Sequence, residues 1–261
     1  MKSFCTLFAL LFWGLLANAA VEMRPIEYKQ GSTPLEGYLA DDTTVSGKRP
    51  GIIMVHDWMG IRDTLKERAE RLAKSGYVVF AADIYGKDIH PKDSKEAGQL
   101  VGKYKSDRKL MRARIEAALK ELKKQKNVDP DKIAVMGYCF GGTVALELGR
   151  DGAPIKGIVT FHGGLDTPTP QDAKNIKGKV LVLHGADDPH VPPSQVAAFE
   201  DEMRKAGVDW ELVKYSKAVH AFTIPDAGND VTTGAAYNAE ADRRSWLAMK
   251  NFLEEIFGPR T

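Results

Sequence analysis

The sequence predicts an α/β fold, a mostly parallel central sheet with helices packed on both of its faces. Three observations carry this. From Gly51 to the C-terminus, short apolar runs bounded by Gly, Pro or Asp alternate with amphipathic stretches, the pattern of successive strand and helix units. The apolar runs are mostly β-branched and nearly continuous, as strands buried on both faces are. The 261 residues, 43% hydrophobic and 28% charged, can bury one large core and do not resemble a disordered or low-complexity chain.

The chain opens with Lys2, an apolar run from Phe4 to Leu16 and the small-x-small triplet Ala17, Asn18, Ala19. That run is shorter than the roughly 20 apolar residues needed to cross a bilayer. Residues 1–19 are therefore expected to be a secretory signal peptide, cleaved after Ala19 or Ala20, and the product to be periplasmic or secreted. Cys5 lies near the start of the apolar run rather than at its end, which argues against lipid attachment. Residues 20–261 contain no internal repeat or long linker and are expected to form a single domain.

Within that domain, Ile26 to Leu39, broken by the Gly31 to Pro34 turn, predicts an N-terminal hairpin. Strands are predicted at Ile52 to Val55, Val78 to Ala82, Ile133 to Met136, Ile158 to Phe161, Val180 to Leu183 and Trp210 to Tyr215. Helical spacing marks Asp63 to Lys74, Asp107 to Lys124, Phe140 to Gly149, Ser194 to Ala206 and Asn238 to Phe257. In the second of these, Leu110, Ile115, Ala118, Leu119 and Leu122 share one face while Arg and Lys fill the other. The polar, small segment from Gly228 to Ala236 reads as a surface loop.

Electrostatics names no macromolecular partner. With 37 basic and 35 acidic residues the formal net charge is +2, too small a field to draw nucleic acid or an anionic membrane. No nucleic-acid partner is expected, no membrane association once the leader is removed, and no oligomeric state is indicated.

After cleavage Cys139 is the sole cysteine. In an oxidising compartment a lone Cys cannot form an internal disulfide, so it is either buried and inert or kept free for chemistry. Its neighbours favour chemistry. The strand Ile133 to Met136 runs into Gly137, Tyr138, Cys139, Phe140, Gly141, Gly142, and a helix follows at once. A nucleophile on such a sharp turn adopts strained backbone angles, and flanking glycines let the turn close without Cβ clashes. The thiol then sits at a helix N-terminus, whose partial positive charge favours thiolate. A G-x-G-x-x-G phosphate loop is not matched.

A cysteine nucleophile needs a base, and the base an orienting acid, in the chain order nucleophile, acid, His. Asp188 follows the strand Val180 to Leu183 and is the expected acid, with Asp187 as the alternative; His220, after the strand Trp210 to Tyr215, is the expected base. His184 reads as a core group, His190 as a turn or exposed residue and His90 as solvated. His56 and His162 follow strands and could line a binding site or serve the core. No metal site is expected, because neither H-E-x-x-H nor clustered Cys and His spacing occurs, and no cofactor is expected.

From Ile26 to Phe257 the chain resembles the dienelactone hydrolase family of the α/β-hydrolase superfamily, on the strength of Gly-Tyr-Cys-Phe-Gly-Gly at 137 to 142, the Asp188 turn and His220-Ala221-Phe222. The resemblance implies an α/β-hydrolase fold and a Cys139, His220, Asp188 triad acting on a small-molecule ester or lactone. It implies that backbone N–H groups of Phe140 and Trp58 hold the oxyanion. It also implies that Asp57, where the family usually carries Glu, meets the resting thiol. Two arginines bind a substrate carboxylate in the family; the matching positions here hold Lys87 and Ile224, so hydrolase is expected and a carboxylated dienelactone is not. His162 is taken as a further substrate-binding residue. Two other readings remain open at this level: a hydrolase of another acyl bond, such as a thioester or peptide, and a catalytically silent ligand-binding module.

Overall fold

The computed structural model describes residues 21–259; the expected signal peptide, residues 1–19, lies outside them. The chain runs β1 (Val21–Gln30), β2 (Thr33–Asp42), β3 (Arg49–Val55), α1 (Asp63–Ala73), β4 (Val78–Ala82), α2 (Ser94–Ser106), α3 (Arg108–Lys123), β5 (Val128–Tyr138), α4 (Phe140–Arg150), β6 (Gly157–Phe161), β7 (Lys179–Gly185), α5 (Pro193–Ala206), β8 (Trp210–Tyr215) and α6 (Ala239–Phe257). Eight strands form one sheet in the order β1-β2-β4-β3-β5-β6-β7-β8. The β1–β2 hairpin is antiparallel and joins β4 antiparallel, while β3 to β8 are parallel.

Parallel strands need crossovers, and the crossover helices cover both faces. On β3 the side chains alternate between two cores. Ile52 and Met54 pack with Leu65, Leu72, Trp246 and Met249 of α1 and α6. Ile53 and Val55 face the other way, towards Ile115, Leu122, Val144 and Phe199 of α3, α4 and α5. Hence the strand centres are apolar at every position, and hence they show as short solid runs.

Strands β1 and β3 begin at Val21 and Arg49, ahead of their apolar runs, and two further elements differ from expectation. Strand β5 starts five residues early because Arg49 and Pro50 of β3 pair with Val128 and Asp129 before the register shifts. Helix α2 was not anticipated, since its glycines, Gly98 and Gly102, dilute the apolar spacing and only Ala97 and Tyr104 are buried. Its start signal is nonetheless present: the Asp93 side chain accepts from the Glu96 N–H at 2.8 Å, and Glu96 accepts in return from the Lys92 N–H at 2.9 Å.

In a parallel sheet the carboxyl ends of the strands lie on one edge of the molecule, where binding crevices form. The segments following β3, β5, β6, β7 and β8 carry Asp57, Cys139, His162, Asp188 and His220.

Candidate active site

Cys139 sits at φ 53°, ψ −116° between β5 and α4, a left-handed conformation that costs a non-glycine residue of order 1–3 kcal/mol. The neighbouring glycines allow it by close approach. A Cβ on Gly137 would stand 2.0 Å from the Gly141 carbonyl oxygen, and one on Gly141 2.5 Å from the carbonyl oxygens of Val55 and His56. The Cys139 N–H is tied to the Phe161 carbonyl at 3.0 Å. Phe140 opens α4, so its N–H has no acceptor within the helix.

Three side chains meet here. His220 Nε2 lies 3.0 Å from Cys139 Sγ, and His220 Nδ1 lies 2.8 Å from Asp188 Oδ2. The other Asp188 oxygen accepts the His190 N–H at 2.8 Å. Asp187 is exposed, so the acid beside the imidazole is Asp188. Burial alone would raise the Asp188 carboxyl, but the hydrogen bond and charge of His220 hold it below the usual carboxylate range. Burial likewise opposes a charge on His220, yet the sulfur and the Asp188 carboxylate outweigh it and lift the imidazole to about 10.

The segment read as a surface loop helps to hold His220. The His220 N–H donates to the Gly234 carbonyl at 3.2 Å and the Ala236 N–H to the His220 carbonyl at 3.0 Å, a bridge invisible to local sequence patterns.

Cys139 and His220 open onto a cavity of about 590 Å³ whose walls include Trp58, Phe140, Val101 and Ile224. The loop bearing Trp58 is braced, because the Tyr85 hydroxyl donates to the Trp58 carbonyl at 2.8 Å and the Met59 N–H donates to Asp57 Oδ1 at 2.8 Å. Arg62 takes the other Asp57 oxygen at 2.6 Å. Asp57 lines the cavity, but both of its oxygens are engaged away from the sulfur, which corrects the expectation that it meets the resting thiol. One methylene shorter than Glu, it closes a local turn instead.

Two further expectations are corrected. Lys87 is not on the cavity wall: it pairs with Glu27 and Glu36 of the hairpin, the nearest carboxylates once β1 and β2 fold beside β4. His162 is fully buried and off the cavity wall, its Nε2 2.8 Å from Thr223 Oγ1. His56 is buried too: it accepts the Ile84 N–H on Nε2 at 3.3 Å, leaving Nδ1–H to donate to the Asp57 carbonyl at 2.6 Å. The cations that do line the cavity are Arg62 and Lys105, neither singled out from the sequence. Lys105 belongs to α2, and Arg62, just before α1, is held at the site by Asp57 and Asp226. Among the described residues no group of His, Cys, Asp and Glu is arranged to hold a metal ion.

A parallel sheet that brings together Cys139 on the turn after β5, Asp188 after β7 and His220 after β8 has the architecture of an α/β-hydrolase. The match to the dienelactone hydrolase family over residues 35–257 makes the particular assignment: the chain belongs to that family and is a hydrolase of ester or lactone bonds. It is 30% identical over 235 residues to a Bradyrhizobium sp. protein described as a probable 2-oxo-3-(5-oxofuran-2-ylidene)propanoate lactonase, covering 85% of this chain and 94% of that one. Among solved structures, a dienelactone hydrolase-like promiscuous phosphotriesterase from metagenomic libraries is 43% identical with a TM-score of 0.86, covering 92% of this chain and 100% of its own. A second, titled m3DLH, is 42% identical with a TM-score of 0.88, covering 91% and 99%.

Proposed function

We propose that the protein cleaves small carboxylic esters or lactones through a thioester acyl-enzyme on Cys139, with His220 as the proton carrier and Asp188 as its orienting acid. The observation that carries this is the unbroken line Sγ, Nε2, Nδ1, Oδ2, with steps of 3.0 and 2.8 Å. The sulfur, as thiolate beside the imidazolium, attacks the carbonyl carbon, and the C=O electron pair moves onto oxygen. The oxyanion is held by the N–H groups of Phe140 and Trp58. Collapse of the tetrahedral centre breaks the C–O bond as His220 gives its Nε2 proton to the leaving oxygen. In a lactone that oxygen stays tethered to the acyl chain. Water then attacks the thioester while His220 takes its proton, the C–S bond breaks, and the thiolate and imidazolium are restored.

Export is part of the same proposal, supported by the apolar leader with its Ala17, Asn18, Ala19 terminus. The test of the chemistry is turnover of a panel of activated esters and lactones by the wild type and by Cys139→Ala, with mass spectrometry for acyl-Cys139. Persistent wild-type turnover in the Ala variant would refute the assignment. A phosphotriester belongs in the panel, because the 43% identical structural neighbour is titled a promiscuous phosphotriesterase.

A further inference from the structure

We propose that His162 is a positioning residue for the Cys139 and His220 pair: a buried imidazole that fixes the inner face of the His220 ring through a hydrogen bond to Thr223. The inference rests on the reading of Cys139 and His220 as the reacting groups.

His162 is the first residue beyond β6 and sits at φ 40°, a backbone state that side chains with a Cβ avoid. It is pinned there between two elements of the site. Its N–H donates to the Leu183 carbonyl of β7 at 2.8 Å, and the preceding carbonyl, of Phe161, accepts the Cys139 N–H. From that position the ring meets the His220 ring edge-to-face, with centroids 5.2 Å apart and planes at 66°. It meets Phe222 at 5.1 Å and 83°. Its Nε2 bonds to Thr223 Oγ1 at 2.8 Å, so the residue clamps both sides of the turn that carries the base. Thr223 is itself buried, and its carbonyl accepts from Arg68 of α1. On the other side His220 meets the ring of His190 at 5.0 Å, and His190 lies on the cavity wall. The base is therefore held between one exposed imidazole and one fully enclosed.

The enclosed one stays neutral. Burial pulls its pKa well below the ordinary value, and the nearby charges of His220 and Arg68 push in the same direction. A neutral ring at this distance lets His220 carry its proton without facing a second cation, whereas a protonated side chain would oppose the imidazolium that the thiolate needs. The hydrogen bond to Thr223 fixes the ring's orientation, which a purely apolar filler such as Phe would leave unset. Among the described residues His162 Nδ1 has no hydrogen-bond partner, so the Thr223 bond is the polar tether of this ring.

Three variants test this. His162→Phe keeps an aromatic ring and removes the nitrogens, Thr223→Val keeps the shape and removes the hydroxyl, and Thr223→Ser restores the hydroxyl. The main readout is the pH dependence of Cys139 alkylation by iodoacetamide without substrate, which follows the thiolate held by His220. The other charged and titratable groups around the pair and His162 include Asp188, His184 and His190 on and after β7, Tyr138 at the end of β5, Arg68 of α1 and Tyr85 after β4; all are retained in every variant. For His162→Phe and Thr223→Val the half-maximal pH of alkylation is expected to rise by about one unit, towards a free thiol. Turnover of an activated ester is expected to fall about 10- to 100-fold in kcat with KM within about twofold. Thr223→Ser should match the wild type, and joining His162→Phe to Thr223→Val should add little, since both break one bond.

A lower Tm with an unchanged alkylation profile and kcat would overturn the proposal and leave His162 as packing alone. If His162→Phe does not fold, the Val and Ser variants of Thr223 decide the matter by the same readouts. Should no ester be turned over while the alkylation profile still shifts, the ester reading fails and the positioning role stands.

Discussion

The two ends of helix α4 handle charge in opposite ways. At its N-terminus Cys139 and His220 form a pair that opens onto the cavity. At its C-terminus Arg150 has no exposure at all. Its Nε and Nη2 bind the two Glu202 oxygens at 2.8 Å each, its Nη1 binds Glu147 at 3.1 Å, and Nη2 also reaches the Leu165 carbonyl at 3.0 Å. Glu147 is shared with Arg112 at 2.8 Å. One end is a closed network in which buried charges satisfy each other; the other presents a sulfur and an imidazole to an open cavity. Glu202 lies on α5, the helix that follows the Asp188 turn, so the pair ties α4 to α5.

The sharpest break between the two ends is a crossed pair of substitutions. Cys139→Ala should lower kcat by at least about 10⁴-fold while moving stability by less than about 1 kcal/mol, since it removes one half-exposed thiol. Asp188→Asn should cost about 10²- to 10⁴-fold in kcat by upsetting the tautomer and the charge that hold His220. Glu202→Ala should do the reverse. It leaves Arg150 buried with an incomplete set of partners and is expected to cost about 3–5 kcal/mol by denaturant unfolding, with KM of the folded fraction unchanged. A Glu202→Ala protein of wild-type stability would mean that the two ends do not differ in kind.

A smaller effect is the response to pH. His220 is held at about 10, above the roughly 6.5 of an unfolded histidine. Its pairing therefore stabilises the fold fully below about 6.5 and is lost as pH rises through about 10. The depressed Asp188 carboxyl works with the opposite sign: its contribution is present above the ordinary carboxylate range, near 4, and is lost on acidification through its lowered value. Ester turnover should likewise fall as pH rises through about 10, where the proton needed by the leaving oxygen is gone. A profile still climbing at pH 11 would mean that His220 does not carry that proton.

How much of this was legible in the sequence follows the range of the forces involved. The parallel strands, the turn around Cys139 and the order Cys139, Asp188, His220 rest on local signals: β-branched runs, paired glycines, and strand ends followed by polar groups. The Arg150 network left no such trace, because Glu147 is one turn away but Glu202 is 52 residues away. Lys87 shows the same limit from the other side. It follows β4, but its direction is set by Glu27 and Glu36 on a hairpin far earlier in the chain. The bridge from Gly234 and Ala236 to His220 is likewise a tertiary fact, and composition alone made that segment look like an idle loop.

The least effect expected is on substrate charge, and it asks how open the open end is. The cavity holds Arg62 and Lys105, which could in principle read a substrate carboxylate. Both are already paired. Arg62 lies 2.6 Å from Asp57 and 3.6 Å from Asp226, and Lys105 lies 3.0 Å from Asp166, which also takes Arg108 at 2.8 Å. An incoming carboxylate would have to displace an internal one and would gain only the difference, while Ile224 and Val101 on the same walls offer it no hydrogen bond. Neutral short-chain or aryl esters and lactones should therefore be cleaved with higher kcat/KM than a carboxylated dienelactone, by about 1–3 kcal/mol. Lys87→Ala should leave the ratio untouched, since Lys87 is off the cavity wall. Arg62→Gln and Lys105→Gln separate the two candidate contacts. A preference for the carboxylated lactone that vanishes in one of them would show that its carboxylate partner yields to substrate, and that the cavity end is electrostatically more open than its resting ion pairs indicate.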